Sequence, residues 1–308
     1  MMIETLFKKS FILDEEAFLS LLEKDLYYNK LFSIDGCVVK ILSNSTALVI
    51  GDIHGDIKSL KTIFEHVDVE KFLSNDSNIL IFLGDYIDRG PYQYETLAFI
   101  LLLKQEFRDQ ILLLRGNHEP HAQLIPYPHD FPHVLRKRFP QKWAVLYNAS
   151  FNFFQKLPLA SFSKNGIFFV HGGPPISDPN LSSLKNPSIK LIEEVLWSDP
   201  REDVLESIPS FRGAGLYFGK NVTERFLKVN GLTAIVRGHE PCEGFKLNHD
   251  GKVVTIFSRA GPPYWNQSIG YMLLPLSSYL NLEDLKDCIK SIEVPTDFNN
   301  FALNDLGF

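Results

Sequence analysis

The sequence has 308 residues, 45% of them hydrophobic and 22% charged, with a net charge of −6. A chain of this length buries about three quarters of the surface its unfolded form exposes, so it needs neither disulfide nor metal merely to fold, and one large domain is expected. The acidic balance argues against nucleic acid or an anionic membrane as the main partner, and three cysteines, Cys37, Cys242 and Cys288, lack the paired spacing of a disulfide framework or a zinc finger.

The opening residues turn acidic by position 14 and have no apolar core ahead of a small-residue cleavage site, so a secretory signal is not expected. The apolar run 97–103 is far too short to span a membrane, and a cytoplasmic, reducing home is the expectation. Asp14 ahead of Ala17, Phe18, Leu21, Leu22 and Leu26 predicts a capped amphipathic helix. The pair Asp35-Gly36 between two apolar stretches predicts a hairpin ending near Leu42. Residues 47–50 read as a buried strand that runs into Gly51-Asp52-Ile53-His54-Gly55-Asp56, and Ile57, Leu60, Ile63, Phe64 and Val67 then keep a helical period.

A second buried strand, 79–83, delivers Gly84-Asp85-Tyr86-Ile87-Asp88-Arg89-Gly90, after which Pro91 opens a helix with Leu97 and Leu101 inward. A third, 111–114, delivers Arg115-Gly116-Asn117-His118-Glu119. This βαβαβ rhythm predicts a parallel sheet. A loop with a short helix at 134–138, a helix over 143–157 stopped by Pro158, and a strand at 167–170 ending in His171-Gly172-Gly173 follow. Then come a long loop at 174–188, a helix reaching Leu196 before Trp197-Ser198-Asp199-Pro200, and an irregular region ending in Arg212-Gly213 and Phe218-Gly219. These glycines follow no strand, so they are not a dinucleotide-binding turn. A strand at 234–236 delivers Arg237-Gly238-His239-Glu240, and strands at 253–257 and 269–274 close the sheets.

Collected, the strand ends carry Asp52, His54, Asp85, Asn117, His171 and His239. Carboxylate, amide and imidazole donors without a thiolate suit Mn, Fe or Zn, and the number of donors suits a pair of ions. Two ions ~3.5–4 Å apart can hold a hydroxide and clamp a phosphoryl group in line with it. A helix-borne zinc-protease site is rejected, because His118-Glu119-Pro120-His121 has the wrong spacing and a helix-breaking proline.

The ordered motifs GDIHG, GDYIDRG, RGNHE, HGG, LWSDP, RG followed by FG, and RGHE, running within about residues 12–272, resemble the phosphoprotein phosphatase family of metal-dependent serine/threonine phosphatases, which includes calcineurin. The chain is similar to its compact, stand-alone microbial members. The resemblance implies an α/β metallophosphoesterase fold in which mixed β-sheets form a sandwich flanked by helices, with the metal site at strand C-terminal ends. It divides the chain into an N-terminal helix and hairpin packed on the core (1–46), a catalytic domain (47–278) and a C-terminal extension (279–308). It implies that Asp52 and His54 hold a first metal, that Asp85 bridges to a second, and that Asn117, His171 and His239 complete the second, with manganese foremost and iron or zinc as alternatives. His118 would be the general acid, oriented by Asp88, while Arg89, Arg212, Asn117 and Tyr264 would contact the phosphate. Tyr264 lies in Ser258-Arg259-Ala260-Gly261-Pro262-Pro263-Tyr264-Trp265, where eukaryotic relatives carry Ser-Ala-Pro-Asn-Tyr-Cys.

The function implied is hydrolysis of phosphoserine and phosphothreonine in protein substrates by direct attack of a hydroxide bridging the two ions. The alternatives are a small-molecule or dinucleoside polyphosphate phosphoesterase and a non-catalytic phosphoprotein-binding scaffold. The presence of Glu119, Trp197 and Arg212 favours the first, and no nucleic acid or membrane partner is expected. Arg115 and Arg237 are assigned structural pairing, Trp197 a place in the core or the groove wall, and His121, His129 and His133 a place in loops.

Overall fold

The computed structural model describes residues 2–24, 30–278 and 280–294. Leu26, assigned above to the first helical pattern, lies outside them, as do residues 279 and 295–308 of the C-terminal extension. In chain order the described residues form α1 (Met2–Ile12), α2 (Glu15–Glu23), β1 (Phe32–Asp35), β2 (Val38–Ile41), β3 (Thr46–Ile50), α3 (Ile57–Val67), α4 (Val69–Leu73), β4 (Ile79–Phe82), α5 (Gln93–Glu106) and β5 (Ile111–Leu113). There follow α6 (Phe131–Arg138), α7 (Trp143–Lys156), β6 (Ala160–Phe162), β7 (Ile167–Val170), α8 (Ile189–Trp197), β8 (Asp199–Pro200), β9 (Ser207–Pro209) and β10 (Leu216–Phe218). The last are α9 (Lys220–Asn230), β11 (Ala234–Arg237), β12 (Phe245–Asn248), β13 (Val253–Ile256), β14 (Ser268–Pro275), α10 (Leu282–Asp287) and β15 (Ile289–Glu293).

Two sheets face each other. One runs β15-β14-β3-β4-β5, with β3, β4 and β5 parallel; the other runs β1-β2-β6-β7-β11-β13-β12, with β7, β11 and β13 parallel. Alternate side chains of a strand point to opposite faces, and the core divides accordingly. Ala47, Val49, Ile79, Ile81 and Leu112 meet Ile167, Phe169, Ala234, Val236 and Val254 between the sheets. Leu48, Ile50, Leu80, Phe82 and Leu113 face the other way and join side chains of the helices from α1 to α7. Phe168, Val170 and Ile235 pack against Val195 of α8 and Phe226 of α9. Burial on both faces is why these strands read as unbroken apolar runs, and the sandwich flanked by helices agrees with the expected fold class.

Several elements depart from the sequence reading. Helices α1 and α9 and strands β6 and β12 were not anticipated. Ser161 and Lys246 interrupt the apolar residues of β6 and β12, which therefore lack the unbroken apolar run that marks the other short strands, and α9 offers an apolar stripe of only Val222, Phe226 and Leu227. Pro91 does not open α5; that helix starts at Gln93 after a turn. The irregular stretch before Gly219 contains a small sheet, β8-β10-β9. The hairpin β1–β2 extends the seven-stranded sheet, because β2 pairs in parallel with β6, and β15 pairs with β14 at the edge of the other. No helix among the described residues is long and apolar enough to cross a membrane.

Candidate active site

The parallel strands of both sheets end at one place. Asp52 follows β3, Asp85 follows β4, Asn117 and His118 follow β5, His171 follows β7 and His239 follows β11. Ligand crevices form where parallel strands end in this way. The chain leaves the strands through residues in left-handed backbone conformations: His54 (φ 46°), Asp85 (57°), Asp88 (64°), Arg89 (71°) and His239 (69°). Such conformations cost non-glycine residues energy and cluster where surrounding contacts over-determine them.

Those contacts can be named. The Glu119 carboxylate accepts hydrogen bonds from the backbone N–H groups of Asp85 (2.8 Å), Tyr86 (2.9 Å) and Gly116 (2.9 Å), tying two strand ends together. Arg115 donates to the carbonyls of Glu119 and Pro120. Arg237, fully buried, donates to Gly172 O and Ser198 O and pairs with Asp199 at 2.9 Å. Both arginines therefore have the structural roles assigned to them. The loops approach so closely that a Cβ on Gly116 would lie 2.2 Å from Asp85 Oδ1 and 2.3 Å from Asp85 N. Gly116→Ala is expected to displace Asp85, costing roughly 1–3 kcal/mol of stability and lowering metal content. Thermal denaturation and elemental analysis matching the parent chain would show that this contact is not tight.

The six proposed ligands converge and are at most 5% exposed. His54 Nε2 lies 3.3 Å from Asp85 Oδ2 and 3.9 Å from Asp52 Oδ2. His171 Nε2 lies 3.4 Å from Asp85 Oδ2 and 2.9 Å from Asn117 Oδ1, which is also 3.0 Å from His239 Nδ1. Asp85 thus stands between the His54 side and the His171 side. His54 and His171 each donate from Nδ1 to a backbone carbonyl, of Ile87 and Leu83 respectively, which turns Nε2 into the centre. Burial pushes the His54 imidazole down to about 3 despite Asp85, so it is neutral and carries a lone pair. Burial raises the Asp85 carboxyl, but the facing imidazoles of His171 and His118 outweigh it and keep it ionised.

This donor set fits metal ions. The Nε2 lone pair of His171 would face two oxygen acceptors, which is unfavourable unless a proton or cation lies among them. Burial disfavours the imidazolium, yet Asp85 and Asp52 raise His171 to about 9, so the carboxylates draw positive charge to that nitrogen. His239 Nε2 is buried with no hydrogen-bond partner. Two groups of ligand atoms, His54-Asp85-His118 and Asp85-His171-His239, each lie within 4.8 Å of one another and share Asp85.

A cleft of about 410 Å³ opens over the centre, lined among others by Arg89, Asn117, His118, Arg212 and Tyr264. Arg89 does not pair with Asp88; its guanidinium reaches Tyr127 O at 3.3 Å and borders the cleft. Arg212 is held by Asp199, Nε to Oδ2 at 2.9 Å, so it is a positioned cation and not a loose loop charge. Tyr264 lies beside His54, with ring centroids 5.7 Å apart, and Trp197 forms part of the wall. His118 Nδ1 lies 2.7 Å from Asp88 Oδ2. Burial opposes protonation of His118, but Asp85 and Asp88 prevail and raise its pKa.

One assignment needs correction: His133, expected in a loop, lies instead in α6. His129 lies in a loop, as expected, and touches the same Asp88 oxygen as His118, at 2.7 Å. It lies 41 residues from Asp88 in a proline-rich stretch without periodicity, so nothing local marks it. The sequence marks Glu119 as a motif residue but not its structural role, and only the folded loops reveal its three backbone donors.

Compared with known proteins, residues 45–243 match the family model described as calcineurin-like phosphoesterase. The chain is 36% identical over 228 residues to serine/threonine-protein phosphatase 5 of Arabidopsis thaliana, covering 71% of this chain and 40% of the relative, so it spans well under half of that protein. It is 33% identical over 233 residues to a protein phosphatase 2A catalytic subunit from Dictyostelium discoideum, covering 72% of this chain and 70% of the relative. In fold it resembles a protein serine/threonine phosphatase from Saccharomyces cerevisiae with similarity to human phosphatase PP5, at a TM-score of 0.69 and 24% identity over 95% of this chain and 89% of that one.

Proposed function

The chain belongs to the calcineurin-like phosphoesterase family, and on that premise we propose that it is a protein phosphatase that hydrolyses phosphoserine and phosphothreonine by direct attack of water, without a phosphoenzyme intermediate. The observation that carries this reading is the convergence of Asp52, His54, Asp85, Asn117, His171 and His239 beneath a cleft that also holds Arg89, Arg212 and His118. Asp52, His54 and Asp85 would hold one ion, and Asp85, Asn117, His171 and His239 the other. Oxygen and imidazole donors without thiolate favour manganese, then iron or zinc. Bound there, such ions supply a water nucleophile at neutral pH and Lewis-acid charge on phosphoryl oxygens.

The remaining work falls to the chain's own groups. Arg89 and Arg212 both line the cleft, and their guanidinium donors suit the three equatorial oxygens of a transferring phosphoryl group. Asp199 keeps Arg212 from turning away. His118, held at Nδ1 by Asp88, has Nε2 left to donate a proton to the departing seryl or threonyl oxygen. Asn117 and Tyr264 border the same space and would contact the phosphate.

Turnover of a phosphoserine peptide compared with diadenosine tetraphosphate by the manganese-loaded protein tests the reading. The peptide is expected to give much the higher kcat/KM. A strong preference for the nucleotide would favour a small-molecule phosphoesterase, and binding of the phosphopeptide without turnover would favour a scaffold.

A further inference from the structure

Asp88 is fully buried and accepts more hydrogen bonds than a dyad with His118 requires. Its Oδ1 takes the backbone N–H groups of Asp130 and Phe131, each at 2.9 Å. Its Oδ2 lies 2.7 Å from His118 Nδ1 and 2.7 Å from His129 Nδ1. Burial alone would favour the neutral acid, but hydrogen bonds from the two imidazoles hold the carboxyl well below the usual carboxylate range. An ionised carboxylate only accepts, so both rings must present N–H at Nδ1. The Tyr147 hydroxyl on α7 lies 2.9 Å from His129 Nε2, so both ring nitrogens of His129 are engaged. The side chain of His129 is only 8% exposed, so water replaces these contacts poorly.

We propose that His129 is a positioning residue for proton delivery by His118. The chain Tyr147–His129–Asp88–His118 fixes the shared Oδ2 atom and so aims His118 Nε2 at the departing oxygen. Asp88 sits in a left-handed turn and relies on outside contacts to stay in place. The two backbone donors secure Oδ1 only. Without His129, Oδ2 would keep His118 alone, and the carboxylate could rotate about the anchored oxygen.

This inference rests on the reading of His118 as the acid, and leaving-group dependence separates the two. A good leaving group such as p-nitrophenolate needs little protonation, whereas a seryl alkoxide needs it fully. In the manganese-loaded protein, His129→Ala is expected to lower kcat on a phosphoserine peptide by about tenfold to a hundredfold, the usual effect of losing an outer-shell partner, with a much smaller fall on p-nitrophenyl phosphate and metal content retained. His129→Asn, which places an amide donor near the Nδ1 position, should recover part of the lost peptide turnover, and it also serves if the alanine variant folds poorly. Equal falls on both substrates, or no fall on either, would overturn the positioning role. His118→Ala, measured in parallel, must show the same selectivity more strongly. If His118→Ala also falls equally on both substrates, the acid assignment itself fails and the role of His129 with it. Selectivity in His118→Ala alone would sink the present inference and leave the acid assignment standing.

Discussion

Asp85→Asn is expected to yield a folded chain that holds neither metal and has lost nearly all phosphatase activity. Asp85 is the one carboxylate common to both groups of ligand atoms. Its Oδ2 lies 3.3 Å from His54 Nε2 and 3.4 Å from His171 Nε2, while its Oδ1 accepts the backbone N–H of His118 at 2.9 Å. Asparagine can keep that acceptor and nearly the same volume, so the loop that carries His118 should stay in place. What disappears is the charge that offsets two cations. Losing metal-supplied activation removes several kcal/mol of transition-state stabilisation, which at about 1.4 kcal/mol per decade is ~10³-fold or more in rate. Elemental analysis after dialysis, with circular dichroism to confirm folding, checks the claim. A variant that still carried both ions would mean that Asp85 does not bridge them.

His118→Ala should behave in the opposite way, keeping its metals while kcat falls by about 10²–10⁴-fold, the usual contribution of a positioned general acid. The ring lies near His54 and Asp85, close enough to be considered a ligand on distance alone. Its Nδ1, however, is committed to Asp88, and both carboxylates raise its proton affinity against burial, which suits a proton donor better than a metal ligand. Ligation requires the neutral ring. Loss of an ion in this variant would move His118 into the coordination set, and unchanged turnover with metals retained would remove it from the chemistry.

Much of the site was legible because its chemistry is attached to strand ends. An apolar run of four or five residues buried on both faces must stop where the sheet stops, and the polar residues that follow cannot be core. That local logic located Asp52, His54, Asp85, Asn117, His171 and His239 and gave the βαβαβ rhythm. It failed where signals are short or long-range. The two- and three-residue strands around Asp199 and Leu216 have no period to detect. Helix α9 has more polar than apolar positions and stops in a left-handed Gly231.

Which residue types stand at the ends of buried strands, and with them the donor set and the class of chemistry, is written in the chain itself, because hydrophobic patterning and turn-forming glycines are local properties. How those ends are held and aimed is settled only when the chain has folded. The three backbone donors on Glu119, the pairing of Asp199 with both Arg212 and Arg237, and the placement of two histidines on one oxygen of Asp88 join residues up to 41 positions apart. Such contacts depend on how loops from different strands pack, and packing depends on every neighbour at once.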